Sequence, residues 1–200
     1  MVNLKDCVEF QGKKITICLT SLCNAKCKHC YIDYHGQWDI GELKQLIPVL
    51  RKKYIIALNG AEVLTNPDYL ELYPLAGEHN LLTNGLAIVK NPNLMERMND
   101  NGIERVSISY HFDSTVSAIP HEIIEQAIKL LQENGFRVEL MTTISKQNYM
   151  NIKEICEKVH SLNVEELYLT NYLCKGNAQL RSELALSTDE IIGVTPLLRA

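Results

Sequence analysis

Three of the chain's seven cysteines, Cys23, Cys27 and Cys30, fall in the stretch Thr20-Ser-Leu-Cys-Asn-Ala-Lys-Cys-Lys-His-Cys-Tyr31. Their spacing is Cys-x3-Cys-x2-Cys. Three thiolates on one short loop can hold three corners of a cubane iron–sulfur cluster, because a compact loop wraps an object of that size. No fourth cysteine stands nearby, so one iron would lack a protein ligand. An open position on a metal centre is where something else binds. Two other chemistries use the same thiols. Zinc would take His29 or His35 as fourth ligand, although structural zinc loops usually come as two well-separated ligand pairs. A ferredoxin-type electron carrier would ordinarily bring its fourth cysteine close by.

The remaining cysteines carry less. Seven is an odd count and too sparse for a disulfide scaffold in 200 residues. Clustered thiols in a reducing compartment read as metal ligands or catalysts rather than bridges. Cys18 and Cys156 lie on strand and helix faces expected to be buried, where cysteine behaves as a small hydrophobe. Cys7 and Cys174 are expected to be unligated.

The elements that must position this loop follow from patterning. Short apolar runs at Lys14–Thr20, Tyr54–Leu58, Asn80–Thr83, Arg105–Tyr110, Phe136–Thr143 and Leu167–Asn171 read as parallel strands covered on both faces. Helical stripes lie between them. Asp39 followed by Glu42 forms a capping-box pattern ahead of Leu43, Leu46, Ile47 and Leu50, with Pro48 expected to kink or shorten that helix. Pro120–Asn134 carries Ile123, Ile124, Ala127, Ile128 and Leu131 on one stripe, and Gly135 stops it. Asn148–Leu162 repeats the pattern through Ile152, Ile155, Cys156 and Val159. Shorter helices are expected near Pro67–Ala76 and Pro92–Asn101, and a last one near Ser187–Leu198. Six strand–helix units in 200 residues predict one α/β domain over residues 1–200: a partial (β/α)6 barrel or a doubly wound sheet, since a full eightfold barrel takes about 250 residues.

Composition narrows the class. Twenty basic against 24 acidic side chains give a net charge of -4, which excludes the broad basic surface of a dedicated nucleic-acid binder. No apolar run approaches the roughly 20 residues that cross a bilayer, and the first residues lack a signal-peptide pattern. The expectation is a soluble cytoplasmic protein with neither nucleic-acid nor membrane partners.

The cysteine loop after the first strand resembles that of the radical S-adenosylmethionine (radical SAM) superfamily, and further matches run from Lys14 to Ala178. Asn59-Gly60-Ala61-Glu62-Val63-Leu64 after the second strand is similar to that family's Gly-Gly-Glu-Pro-Leu. Gly60 and Glu62 match, while Asn59, Ala61 and Val63 depart, and Ala61 fits only with a negative φ. Thr83-Asn84-Gly85 matches a common family turn. Ser107-Ile-Ser109-Tyr-His111 resembles a Ser-x-Asp segment, with His111 where Asp is usual. Thr142-Thr143 with Asn148, and Lys175-Gly176-Asn177-Ala178, complete the likeness. Each segment falls at the C-terminal end of a predicted strand, where parallel α/β folds build their sites.

The resemblance implies a partial (β/α)6 TIM-like barrel and an enzyme. Cys23, Cys27 and Cys30 would bind three irons of a [4Fe–4S] cluster, and SAM would chelate the fourth. One-electron cleavage of SAM would yield methionine and a 5′-deoxyadenosyl radical that abstracts hydrogen from a substrate. His29 would sit near the adenine. Gly60, Ala61 and Glu62 would meet the SAM ammonium, Ser109 its ribose or carboxylate, and Asn84 and Thr143 would add polar contacts. The partners implied are an electron donor such as flavodoxin or ferredoxin and a peptide or protein substrate. The wording of the cysteine loop is similar to members that add a cysteine-rich C-terminal SPASM domain, and nothing up to Ala200 resembles that extension. A partner or precursor peptide is therefore expected to cover the open barrel side. Tyr31, Tyr34 and Trp38 are expected either to line a substrate mouth or to pack the long first loop. The rival reading is a non-enzymatic cluster-binding or electron-transfer protein.

Overall fold

The computed structural model describes residues 14–33, 35–112 and 117–197, with side chains to residue 194. Cys7 and Tyr34 lie outside the described residues. Among the described residues there are six strands: β1 (Lys14–Cys18), β2 (Ile55–Asn59), β3 (Asn80–Thr83), β4 (Arg105–Ser109), β5 (Arg137–Ile144) and β6 (Glu166–Asn171). All ladders between these strands are parallel. β1 pairs with β2, and β3, β4, β5 and β6 form a second ladder in that order. β2 and β3 are neighbours without a shared ladder. Spatial order following chain order is the signature of a barrel wall, whereas a doubly wound sheet reverses direction partway. The architecture is a partial TIM-like barrel.

The helices α1 (Ile40–Arg51), α2 (Leu72–Ala76), α3 (Leu86–Lys90), α4 (Leu94–Asp100), α5 (His121–Glu133), α6 (Ile152–Ser161) and α7 (Thr188–Leu197) alternate with the strands. Asp39 caps α1, its Oδ1 accepting the Glu42 N–H at 2.9 Å. Pro48 does not end the helix, which runs three residues further to Arg51. Proline removes only the bond that its own N–H would donate back one turn, and buried Leu43 and Ile47 hold that face to the core.

The core lies between the outer faces of the strands and the helices. Ile17, Ile56, Leu81, Ile108 and Leu140 pack in one cluster with Leu43, Ile47, Ile124, Ile128, Leu131 and Ile155. The end strands depart from the expected double cover. Only Ile17 of β1 is buried, and no residue of β6 is, because neither strand has a neighbour on its far edge. This corrects the expectation for Cys18, which is exposed on the opposite face of β1 from Ile17. Cys156 is exposed as well. The buried stripe of α6 is Ile152, Ile155 and Val159, and Cys156 sits beside that stripe rather than on it.

Toward the N-terminal ends of the strands the barrel interior is closed by polar groups. Glu139, 3% exposed, accepts from Ser107 Oγ at 2.8 Å and pairs with Arg105 at 3.3 Å, while Asn80 Nδ2 donates to Ser107 at 2.9 Å. The C-terminal ends carry the functional loops.

Candidate functional site

The cysteine loop leaves β1 by continuing its pairing with the chain after β2. Leu19 N donates to Asn59 O at 2.7 Å, Ala61 N to Thr20 O at 2.8 Å and Glu62 N to Leu22 O at 3.1 Å. Gly60 is favoured by closeness: a Cβ there would lie 3.2 Å from the Thr20 carbonyl oxygen, tighter than an ordinary contact. Asn163 is the only non-glycine with positive φ among the described residues, so Ala61 meets the condition that its side chain imposes.

Glu62 does not face solvent or open space. It is 1% exposed, and its carboxylate accepts from Leu64 N at 3.1 Å, Asn84 N at 2.8 Å and Thr83 Oγ1 at 2.9 Å. Burial pushes its pKa up, against the pull of those three donors. The resemblance implies a carboxylate on a ligand's ammonium; here the buried carboxylate bonds Thr83 and Asn84 and so fixes the Thr83-Asn84-Gly85 turn. Asn84, thus held, reaches across to the cysteine loop, its Nδ2 donating to Asn24 Oδ1 at 2.8 Å and lying 3.7 Å from Cys23 Sγ. Gly85 has φ +80°, and a Cβ there would come within 2.9 Å of the Ala127 methyl on α5. The turn therefore needs glycine for conformation and for space.

Two backbone amides also aim at sulfur. Ala25 N lies 3.4 Å from Cys23 Sγ, and Ala118 N lies 3.4 Å from Cys27 Sγ. Burial pushes both thiols up, and each of these N–H groups pulls the other way. A metal that takes such thiols must displace their protons, and N–H donors to sulfur are a recognised means of tuning an iron–sulfur centre. Among the described residues no three His, Cys, Asp or Glu side chains converge on the single point one metal ion occupies. A cubane asks for something else, since each thiolate takes a different iron and the three surround a volume. The donor set, three thiols on one loop with amides directed at two of them, fits such a cluster.

The far side of the loop is clamped by the turn after β6. Ala178 N donates to Cys30 O at 3.1 Å, and Asn177 Nδ2 approaches Cys27 O at 3.5 Å. Gly176, at φ +54°, lies so close that a Cβ would collide with the Ile32 carbonyl and stand 3.0 Å from Cys30 O.

His29 packs on His111, ring centroids 3.9 Å apart. His111 Nδ1 faces the Thr143 N–H at 3.4 Å, which makes it an acceptor and the ring neutral. Burial, with His29 and His121 alongside, pushes the His111 pKa down to about 3. The structure thus brings His29 and Thr143 together through a residue that sequence reading assigned no role. Ser109 is half-buried at the end of β4, in register with Met141. Thr143 Oγ1 lies 3.4 Å from Thr170 Oγ1. Tyr31 and Trp38 are 48% and 45% exposed.

Sequence reading missed Asn24, Ala118 and the clamping role of Asn177 and Ala178. The last two had a signal in the Lys-Gly-Asn-Ala turn. Ala118 acts through its backbone, which leaves no residue-type signature.

Comparison with known proteins gives a consistent picture. No family model matches the chain. It is 27% identical over 179 residues to the "Pre-heme d1 synthase" of Dinoroseobacter shibae, covering 80% of this chain and 44% of that protein. It is 28% identical over 162 residues to the "AdoMet-dependent heme synthase" of Nitratidesulfovibrio vulgaris, covering 70% of this chain and 44% of that one. The chain therefore spans less than half the length of these curated relatives. Among solved structures, anSMEcpe with bound AdoMet and Cp18Cys peptide superposes with a TM-score of 0.74 at 15% identity, over 92% of this chain and 58% of that one. Streptococcus suis SuiB bound to S-adenosylmethionine gives 0.73 at 13% identity, over 94% of this chain and 47% of that one. The chain is thus similar in sequence to two curated synthases, one of them named as AdoMet-dependent, and similar in fold to two barrels solved with AdoMet bound.

Proposed function

We propose that the chain holds a [4Fe–4S] cluster through Cys23, Cys27 and Cys30 and uses SAM as the source of a radical for hydrogen abstraction. When bound, cluster and SAM supply one-electron cleavage of the sulfonium to methionine and a 5′-deoxyadenosyl radical. The rest falls to the polypeptide. Ala25 and Ala118 donate N–H groups to sulfur, and Glu62 holds Asn84 against the cysteine loop. Gly60 and Ala61 bring backbone to the site rim, and Ser109 and Thr143 offer uncharged hydrogen-bonding groups at the strand ends. His29, backed by neutral His111, provides a flat surface suited to a purine ring.

The observation that carries this reading is the convergence on one three-cysteine loop of donors from the turns after β3, β4 and β6. Anaerobic reconstitution tests it: with SAM and dithionite the chain should release 5′-deoxyadenosine. Cys27→Ala should lose the cluster, whereas Cys174→Ala should keep its iron. A reconstituted protein that never forms 5′-deoxyadenosine supports the carrier reading, which the inward-turned Glu62 favours. Zinc without iron in protein prepared free of oxygen would sink both.

For substrate we propose a peptide or protein, supported by the peptide-bound state of anSMEcpe that this barrel resembles. The likeness to heme synthases favours a tetrapyrrole instead. Deuterium transfer from labelled substrate into 5′-deoxyadenosine separates the two.

A further inference from the structure

Asn84 spends its polar groups on holding one geometry. Its backbone N–H donates to Glu62 Oε2 at 2.8 Å, and its Oδ1 accepts the Leu86 N–H at 3.0 Å. The side-chain amide still has two hydrogens to give. Nδ2 lies 2.8 Å from Asn24 Oδ1 and 3.7 Å from Cys23 Sγ, so one hydrogen can go to each. Ala25 N approaches the same sulfur at 3.4 Å. Cys23 is the exposed thiol of the loop, whereas Cys27 and Cys30 are half-buried. The resemblance gives Asn84 a polar contact with SAM, but its side chain is already engaged by the protein itself.

We infer that Asn84 sets the reduction potential of a cluster held by Cys23, an inference that rests on the cluster reading above. A cysteine that ligates iron has given up its proton, so its sulfur can only accept. The Asn84 amide then points a partial positive charge at a thiolate, a charge-assisted contact. When one electron from a reductant enters the cluster, no bond forms or breaks and no proton moves, but the negative charge on the sulfurs grows. The contact strengthens with that charge, so it favours the reduced form and raises the potential. Glu62 is the anchor of this arrangement. From its buried position it holds the Asn84 backbone, and the Leu86 N–H holds the amide oxygen, so the NH2 is left facing the loop. Asn84 thus acts through Cys23 as a positioning residue.

The test is a redox titration of the reconstituted chain with dithionite, followed by EPR, in the wild type and two variants. Asn84→Leu is close to asparagine in shape, offers no donor and keeps water from taking its place. Asn84→Asp retains the acceptor for Leu86 N and exchanges the donor for an oxygen. Iron stoichiometry in Asn84→Leu should match the wild type. At the wild-type midpoint its ratio of reduced to oxidised cluster should fall about tenfold, a shift of about 59 mV to more negative potential. The shift should be larger in Asn84→Asp, which sets a negative charge beside the sulfur. A merely structural role would loosen the iron without moving the midpoint. Equal midpoints in the loaded wild type and Asn84→Leu would overturn the inference, and weaker SAM binding alongside them would return the amide to SAM. The wild type gives a second readout should a variant fail to hold its cluster. Prepared with asparagine isotopically labelled at the side-chain nitrogen, its reduced cluster should show a weakly coupled labelled nitrogen in pulsed EPR. No such coupling would also overturn the assignment. Failure of the cluster reading looks different, since then the wild type itself would hold no iron.

Discussion

Glu62 shows how one side chain can serve a site without reaching into it. Its two oxygens accept from two backbone amides and a hydroxyl, and glutamine has only one oxygen to offer. Glu62→Gln should therefore leave a buried N–H facing an amide NH2 and destabilise the fold by about 1–3 kcal/mol. Thermal unfolding of the metal-free chain checks this, and iron stoichiometry after reconstitution should be unchanged. His111 gives a pH signature. Its imidazole pKa falls from 6.5 to about 3 in the folded chain. Between those values the unfolded state binds a proton that the folded state refuses, so stability is full above the upper value. It falls as pH drops, by up to about 1.4 kcal/mol per pH unit from this group. Glu62, with its raised pKa, works in the opposite direction: its contribution is present at low pH and lost as pH rises through that pKa. His111→Asn keeps an acceptor for the Thr143 N–H and should flatten the acid slope. NMR titration of the wild type should show the His111 ring neutral down to about 3.

At the level of elements, the strands were legible and the clamps were not. All six apolar runs became strands within two residues of their predicted ends, because apolar runs between helical stripes leave little choice in an alternating fold. The five-residue helix α3 was missed because it is too short to display a period. Cys156 was misplaced because the run Ile155-Cys156 permits a wider stripe than the helix buries. The three-cysteine loop stood out in the sequence because identical residue types at close spacing announce themselves. The turn around Gly176 could be recognised as a motif, but its contact with Ile32 and Cys30 depends on the barrel bringing distant segments together. Gly176→Ala combines an unfavourable φ with a backbone collision and should cost about 1–3 kcal/mol. Iron should be lost faster to a chelator than from wild type, because the far side of the loop is freed. Ser182→Ala, in the same segment, is the control expected to change neither.

For the whole molecule, the barrel divides its labour along the strand axis. The end bearing Glu139, Arg105, Ser107 and Asn80 is packed and charge-paired; the opposite end bears loops, glycines and thiols. Glu139→Ala strips Arg105 of its carboxylate and takes one acceptor from Ser107 and Asn80, which keep only each other, so it should destabilise by about 1–3 kcal/mol in chemical denaturation while iron binding in the folded protein persists. Stability and chemistry are separable here in the way the two faces of such barrels usually are. The cysteine loop and the turn that grips it lie far apart in sequence: Asn177 meets Cys27 across 150 residues. During synthesis on the ribosome, all three thiols emerge long before their last holders are translated. Loading of iron belongs, on this account, after the segment around Asn177 has emerged, and a nascent chain stalled before it would present three unguarded sulfurs to any oxidant or stray ion in the cell.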